Sequence, residues 1–310
     1  MTVNSIRARE PSVNTDNAAG GFEYSDAYLY DNDARFVFNF VRTSMNYGCV
    51  AANYVESTGA VREDAIWKVS ARDNISGEEF QIRAKAMVNA CGPYVDKHNQ
   101  LANQKTEHRH LLSKGIHLIV DRIAEGDRIL AFFASDGRLF FVIPMGNKTS
   151  IGTTDIQVDS PDVEVTAEDR KFVLDNINAL LRLKKPITEE DIITERCGVR
   201  PLALKGGDGV ADWVKLSRKH AIDVSHEDQH LSIFGGKTTD CINVGNEVAE
   251  IIKAMGIELL FDDFKWYGED DDTVRDEFYH QAKLMDLDVY TVKGSSEPLT
   301  QRLWRRYGGK

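Results

Sequence analysis

Long apolar runs are absent from the 310 residues. No stretch reaches the ~18 consecutive apolar residues that cross a bilayer as a helix. The opening MTVNSIRAREPSVNTDNAAGG is polar and lacks the apolar core of a secretion signal. It also lacks the periodicity of a folded element, so the chain is expected to begin in a linker or partway through a longer fold. Cysteine is scarce. Cys49, Cys91, Cys197 and Cys241 stand far apart with no C-x-x-C pair, which excludes a zinc ribbon or a thioredoxin-type motif and predicts reduced, mostly buried thiols. Positive charge is in deficit, with 38 basic against 49 acidic residues and a net charge of −11. Nucleic acid is therefore not expected as the main partner, because phosphate backbones need a basic face. A small anion is still allowed, since a few well-placed cations hold one. The dinucleotide fingerprint G-x-G-x-x-G is missing as well. The nearest match, GGDGVAD at 206–212, fails at its third glycine.

What is present is enough for a packed core: 42% hydrophobic and 28% charged residues. Residues 33–47 carry Phe36, Val37, Phe40, Val41 and Met45 at helical spacing, with Asp33 as N-cap and Gly48 as stop. CVAANYVES, AIWKVSARD and EEFQIRAKAMVNAC read as strands, the last running into a break at Gly92-Pro93 and a helix from Val95. KGIHLIVDR, RILAFFASD, RLFFVIPMG and KTSIGTTDI form a second β-rich block, with turns at Asp136-Gly137 and Gly146-Asn147. Thr166 caps a helix over 167–182, and strands follow near Ile192–Leu204 and His220–Val224. LSIFG is a last strand before a helix over about 239–255. From about residue 262 the chain turns acidic and aromatic, then helical.

Two motifs overlap in SHEDQHLSIFGGKTTD, residues 225–240. His226 and His230 fit H-E-x-x-H, but that zinc motif needs both histidines on one helix. Strand-like HAIDVS and LSIFGG flank them, so HEDQH is expected at a hairpin tip with no metal bound. Gly236-Lys237-Thr238 resembles the end of a P-loop, yet Leu231 occupies the position of its first glycine. What remains is a glycine turn, a lysine and a helix start. That arrangement can meet an anion, or it can be an ordinary strand–helix turn with a solvated lysine.

Six stretches in order carry a resemblance: GGFEYSDAYLYDNDAR (20–35), VNACGPYVD (88–96), KGIHLIV (114–120), SIGTTDI (150–156), CGVRPL (197–202) and SIFGGKTTD (232–240). Together they resemble the FAD-dependent glycerol-3-phosphate dehydrogenases and α-glycerophosphate oxidases. The resemblance implies an α+β fold in which an antiparallel-sheet substrate domain interrupts a Rossmann-like FAD domain, followed by a helical region. On this chain it implies 1–104 as an FAD-domain portion, 105–230 as substrate domain, 231–260 as the final FAD-domain strand and helix, and 261–310 as the start of the helical region. Because the fingerprint is missing, the chain is expected to be a fragment that holds FAD poorly and is inactive by itself.

The implied reaction oxidises sn-glycerol 3-phosphate to dihydroxyacetone phosphate. By resemblance His117 transfers the proton, while Arg200 and Lys237 contact substrate or flavin and Arg218 binds phosphate. Gly92, Pro93, Thr153, Thr154, Asp155, Gly236, Thr238 and Thr239 are the implied FAD contacts. Read from the residues, His117 fits a hydrogen-bonded strand histidine, and Arg200 and Arg218 fit solvated strand residues. The implied setting is cytoplasmic, peripheral to the membrane, with quinone or oxygen as electron acceptor, and it is compatible with a homodimer. Cys241 and Ile242 stand where the family has tyrosine and arginine. A related flavoenzyme acting on another small hydroxy or amino acid therefore stays open, as does a non-catalytic substrate-binding subunit.

Overall fold

The computed structural model describes residues 1–25, 33–206, 219–261, 272–291 and 293–308. They form an α+β chain of two compact units: Met1–Ser25 with Met87–Lys237, and Asp26–Ala86 with Thr238–Lys310. In chain order the first elements are α1 (Val3–Arg9), α2 (Asp33–Asn46), β1 (Val55–Glu63), β2 (Ile66–Asp73), β3 (Glu79–Ala84) and β4 (Met87–Asn89). A 3-10 turn, Gly92–Tyr94, leads into α3 (Val95–Leu101). Then come β5 (His108–Asp121), β6 (Leu130–Phe133), β7 (Leu139–Met145), β8 (Lys148–Gly152), β9 (Ile156–Val158) and α4 (Ala167–Leu180). The chain continues through β10 (Thr194–Lys205), β11 (His220–Ser225), β12 (His230–Gly235), α5 (Cys241–Ala254), α6 (Asp272–Leu284) and α7 (Leu299–Tyr307).

The first unit is organised by β5, the longest strand. Its neighbours give the antiparallel order β10-β5-β8-β7-β6, and β9 pairs with the N-terminal half of β5. Side chains alternate across a strand, so the even positions of β5 share one face. Ile116, Leu118 and Val120 there meet Phe140, Val142 and Ile151 of the sheet and Val173 and Ile177 of α4, all fully or nearly fully buried. Each such aliphatic side chain contributes ~1.5–3 kcal/mol relative to exposure. The odd positions Ser113, Gly115 and His117 face the opposite side, and that face carries the candidate site.

A polar joint fastens α4 to β5. Thr166 caps the helix and Asp169 returns the favour: Thr166 N–H donates to Asp169 Oδ2 at 2.9 Å, and Asp169 N–H donates to Thr166 Oγ1 at 3.3 Å. Lys114, buried on β5, donates from Nζ to the same Asp169 Oδ2 at 2.5 Å and to the Glu164 carbonyl at 3.3 Å. The lysine of KGIHLIV is thus structural.

A smaller sheet orders β11-β12-β4, with β12 parallel to β4. Buried Asn99 of α3 ties it together, accepting from Asn89 Nδ2 at 2.7 Å and from Ser232 Oγ at 2.9 Å. In the second unit β1, β2 and β3 form an antiparallel meander around buried Trp67, and α7 packs on α2 and α6.

The sequence-based expectations are corrected at five places. The opening segment, expected as a linker, holds the Thr2-capped helix α1 and sends Val13 into the core. CVAANYVES begins its strand only at Val55, after Tyr54 adopts φ 59°. EEFQIRAKAMVNAC is two strands: β3 ends where Ala84 pairs with Trp67, and β4 starts where Met87 pairs with His230. A change of partner leaves no mark on an alternating pattern. The apolar stripe of α2 is largely exposed at Val37, Val41 and Met45, while Arg35 and Asn39 are buried. Here α7 offers polar partners, since Arg35 Nη1 donates to the Trp304 carbonyl at 2.9 Å and its guanidinium lies 5.1 Å from the indole ring. Finally, the free thiols of Cys49, Cys91 and Cys197 are exposed, not buried.

Candidate functional site

The site is built on the odd face of β5, from the register outward. His117 stands opposite Arg196 of β10 on one side and Gly152 of β8 on the other. Gly198 stands opposite Gly115, and Arg200 opposite Ser113. Period-two alternation therefore puts Arg196, Gly198 and Arg200 on the face that carries His117.

Two glycines shape this face. A Cβ at Gly115 would lie 2.5 Å from Arg200 Nη2 and 2.7 Å from Cζ, so the guanidinium rests directly on the Gly115 backbone. A Cβ at Gly152 would lie 2.5 Å from the Ile116 carbonyl oxygen and 2.9 Å from His117 Cδ2, which only glycine avoids.

The segment after β8 clamps Arg200. Nη2 donates to Thr153 Oγ1 at 2.9 Å, Nη1 to the Thr154 carbonyl at 3.4 Å, and Asp155 Oδ1 stands 3.7 Å from Nη1. Buried Thr154 anchors the segment by accepting from Ile116 N–H at 3.1 Å, and Ser113 Oγ donates to Asp155. The threonines and aspartate of GTTD thus fix an arginine and lock the segment to β5. His117 is held neutral near pH 7. Burial, then Arg200, then Arg196 push its imidazole below the ordinary histidine range.

The glycine turn after β12 reaches the same sheet. Gly235 and Gly236 have φ 64° and 84°, and a Cβ at Gly235 would stand 3.2 Å from the Ala203 amide nitrogen of β10. Gly235 N–H donates to His110 Nε2 of β5 at 3.0 Å. Lys237, exposed, leaves this turn at the end of the first unit. Gly92 (φ 55°) and Pro93 open the 3-10 turn that lies against β10 and β12.

So His117, Arg200, Thr153, Thr154 and Asp155 come together on one face. Gly236 and Lys237 attach to it through β10, and Gly92 with Pro93 stands at its border. Thr238 and Thr239 form an exposed 3-10 turn of the second unit, ahead of half-buried Cys241 and exposed Ile242. Arg218 lies outside the described residues. His226 and His230 bound a hairpin turn, with Ser225 paired to His230 and Gln229 at φ 50°. No cluster of three metal-ligating side chains occurs among the described residues. A cavity of about 390 Å³ opens elsewhere, between Pro93–Lys97 and Gln157–Asp162. Of the candidate residues it is lined only by Pro93; His117, Arg200 and the GTTD segment lie on the sheet face instead. Sequence reading missed Arg196, Gly115, Gly152 and Ser113. The period of two that joins Ser113 and Gly115 to His117 on β5, and Arg196 to Arg200 on β10, is visible, but the register that aligns these strands with each other and with Gly152 of β8 is not.

Residues 1–236 match the family model of the DAO type, FAD-dependent oxidoreductase. The chain belongs to this FAD-dependent oxidoreductase family. Among relatives, it is 30% identical over 250 residues to the aerobic glycerol-3-phosphate dehydrogenase of Staphylococcus haemolyticus, covering 79% of this chain and 44% of that protein. It is 31% identical over 221 residues to an α-glycerophosphate oxidase of Streptococcus pneumoniae, covering 69% and 36%. The glycerol-3-phosphate dehydrogenase of Bacillus halodurans, solved with FAD, superposes with a TM-score of 0.74 at 25% identity, over 99% of this chain and 59% of that one. The chain therefore spans about half or less of the length of these curated relatives.

FAD is the cofactor of this oxidoreductase family. Among the described residues of the first unit, Gly92 leaves open space where a Cβ would stand, and its positive φ starts a helical turn. Gly92 therefore leaves room for close approach of a ligand to the backbone, while a Cβ at Gly236 would stand 3.1 Å from His220 Cβ. The glycine-rich pyrophosphate turn is not in this sequence.

Proposed function

We infer that the protein serves the oxidation of sn-glycerol 3-phosphate to dihydroxyacetone phosphate. The observation that carries this reading is the pairing of a neutral, half-buried His117 with a clamped Arg200 on one strand face. FAD, when bound, supplies the hydride acceptor. The protein's own residues do the rest. His117, unprotonated near neutral pH, accepts the C2 hydroxyl proton at a ring nitrogen. Arg200 presents a fixed fork of donors to substrate oxygens and cannot swing away without losing Thr153. Lys237, exposed beside the glycine turn, adds a positive charge. The same reading places the protein at the cytoplasmic face of a membrane, with quinone or oxygen as final acceptor. None of the described helices is long and apolar enough to cross that membrane.

Calorimetric titration with sn-glycerol 3-phosphate, glycerol and small hydroxy or amino acids tests the substrate. Anaerobic flavin bleaching of FAD-loaded protein tests the chemistry. Binding of glycerol 3-phosphate but not of glycerol is expected, with bleaching only in the fraction that retains FAD, because the glycine-rich pyrophosphate turn is not in this sequence. A preference for a hydroxy or amino acid would overturn the reading.

A further inference from the structure

The cation content of the site face is uneven. Asp155 stands 3.7 Å from Arg200 and offsets its charge, while Thr153 and the Thr154 carbonyl occupy donors of the same guanidinium. Arg196 is different. It is exposed, directly opposite His117, and no ion pair or hydrogen bond of its side chain is found among the described residues. Its neighbour Glu195 points to the other face and is taken by Arg170, at 2.9 Å from Nη2. Arg196 therefore supplies uncompensated positive charge beside His117, on a protein whose net charge is −11.

Geometry lets the two arginines share one ligand. Four residues along a strand separate their Cα atoms by ~13 Å. Arg200, however, leans back over Gly115, about halfway along that distance. The remaining gap of ~6–7 Å is within reach of an extended arginine side chain. Arg196 and His117 sit on adjacent strands, ~4.8 Å apart. A group on Arg196 and a hydroxyl at His117 are thus a few bonds apart and belong to one small molecule.

We propose that Arg196 is the residue that receives the anionic group of the substrate, with Arg200 as its second donor, and so selects a phosphate-bearing substrate of two or three carbons. This rests on the reading of His117 and Arg200 given above. A phosphate dianion offers three oxygens and two charges to the two guanidinium forks, whereas a carboxylate offers two oxygens and one charge.

The test is titration of the full chain with inorganic phosphate and with acetate, in the wild type and in Arg196→Gln, Arg196→Lys and Arg200→Gln, with circular dichroism to check folding. Arg196→Gln is expected to weaken phosphate binding about tenfold, the effect of losing one charge-assisted hydrogen bond. The loss should be smaller for acetate and largely restored by Arg196→Lys. Proton NMR of the His117 imidazole gives a second readout: its pKa should rise in Arg196→Gln, because a neighbouring cation is gone. If Arg200→Gln weakens phosphate binding while Arg196→Gln changes neither affinity nor the His117 pKa, the proposal falls and the site reading stands. If neither variant affects phosphate, both fall.

Discussion

At the residue scale, two glycines on the same face have opposite expected behaviour. A methyl at Gly115 meets the far end of the Arg200 side chain, which can swing aside only by giving up its partly exposed Thr153 hydrogen bond. Gly115→Ala is expected to keep its thermal midpoint and lose about tenfold in affinity for glycerol 3-phosphate, ~1.4 kcal/mol, in a calorimetric titration. Unchanged affinity would show that Arg200 is not a ligand. A methyl at Gly152 meets backbone, the Ile116 carbonyl, which cannot move without breaking the β5–β8 ladder. Gly152→Ala should therefore cost about 1–3 kcal/mol of stability in a urea titration, the range for overpacking. Equal stability of the two variants would contradict this account. Sequence alone singled out His117 and Arg200, because KGIH and GVRPL resemble family blocks. It did not single out the glycines beside them, because their role follows from strand register, which one sequence does not encode visibly.

At the element scale, periodicity made most strands legible. The 114–121 part of the 14-residue β5 was readable because most positions there are apolar and buried; the 108–113 part, with His108, Arg109 and His110, was not. Where partner choice decided the outcome, reading failed, as at Lys85-Ala86 between β3 and β4, and on α2, whose buried side chains are an arginine and an asparagine. The α4–β5 joint shows the same logic in energetic form. Asp169 serves both as capping-box partner and as counter-ion to buried Lys114. Removing the cap hydroxyl leaves the ion pair, so Thr166→Ala should cost about 1 kcal/mol. Removing the cation leaves Asp169 buried with its charge uncompensated, so Lys114→Met should cost about 3–5 kcal/mol. Chemical denaturation of both variants checks the ranking; a milder effect of Lys114→Met would mean that the cap, not the ion pair, holds the joint.

At the scale of the whole molecule, four histidines tie stability to pH. His98, His110, His117 and His230 all have pKa values lowered from the ordinary 6.5, in each case chiefly by burial. His230 falls furthest, to about 4, with His98 nearby as a second cause against the opposing pull of Asp228. Unfolded, each imidazole takes up a proton near pH 6.5; folded, it resists until the pH is lower. The unfolded chain therefore binds more protons in this window, and stability must rise with pH there. It is fully present above the unfolded value and is lost as pH falls from about 6.5 toward the folded values. For His230 the shift corresponds to about 3 kcal/mol. Carboxylates with lowered pKa, such as Asp73 with its Ile75 N–H and Asp191 with Lys185, act only below their ordinary value of 3.8. The histidine window is thus separable from acid unfolding. Urea midpoints measured from pH 7.5 to 4.5 should decline steadily, and His230→Asn should flatten the decline by roughly its own share. A flat profile in the parent protein over that range would mean that the buried imidazoles are already charged in the fold, which the burial of His230 opposes.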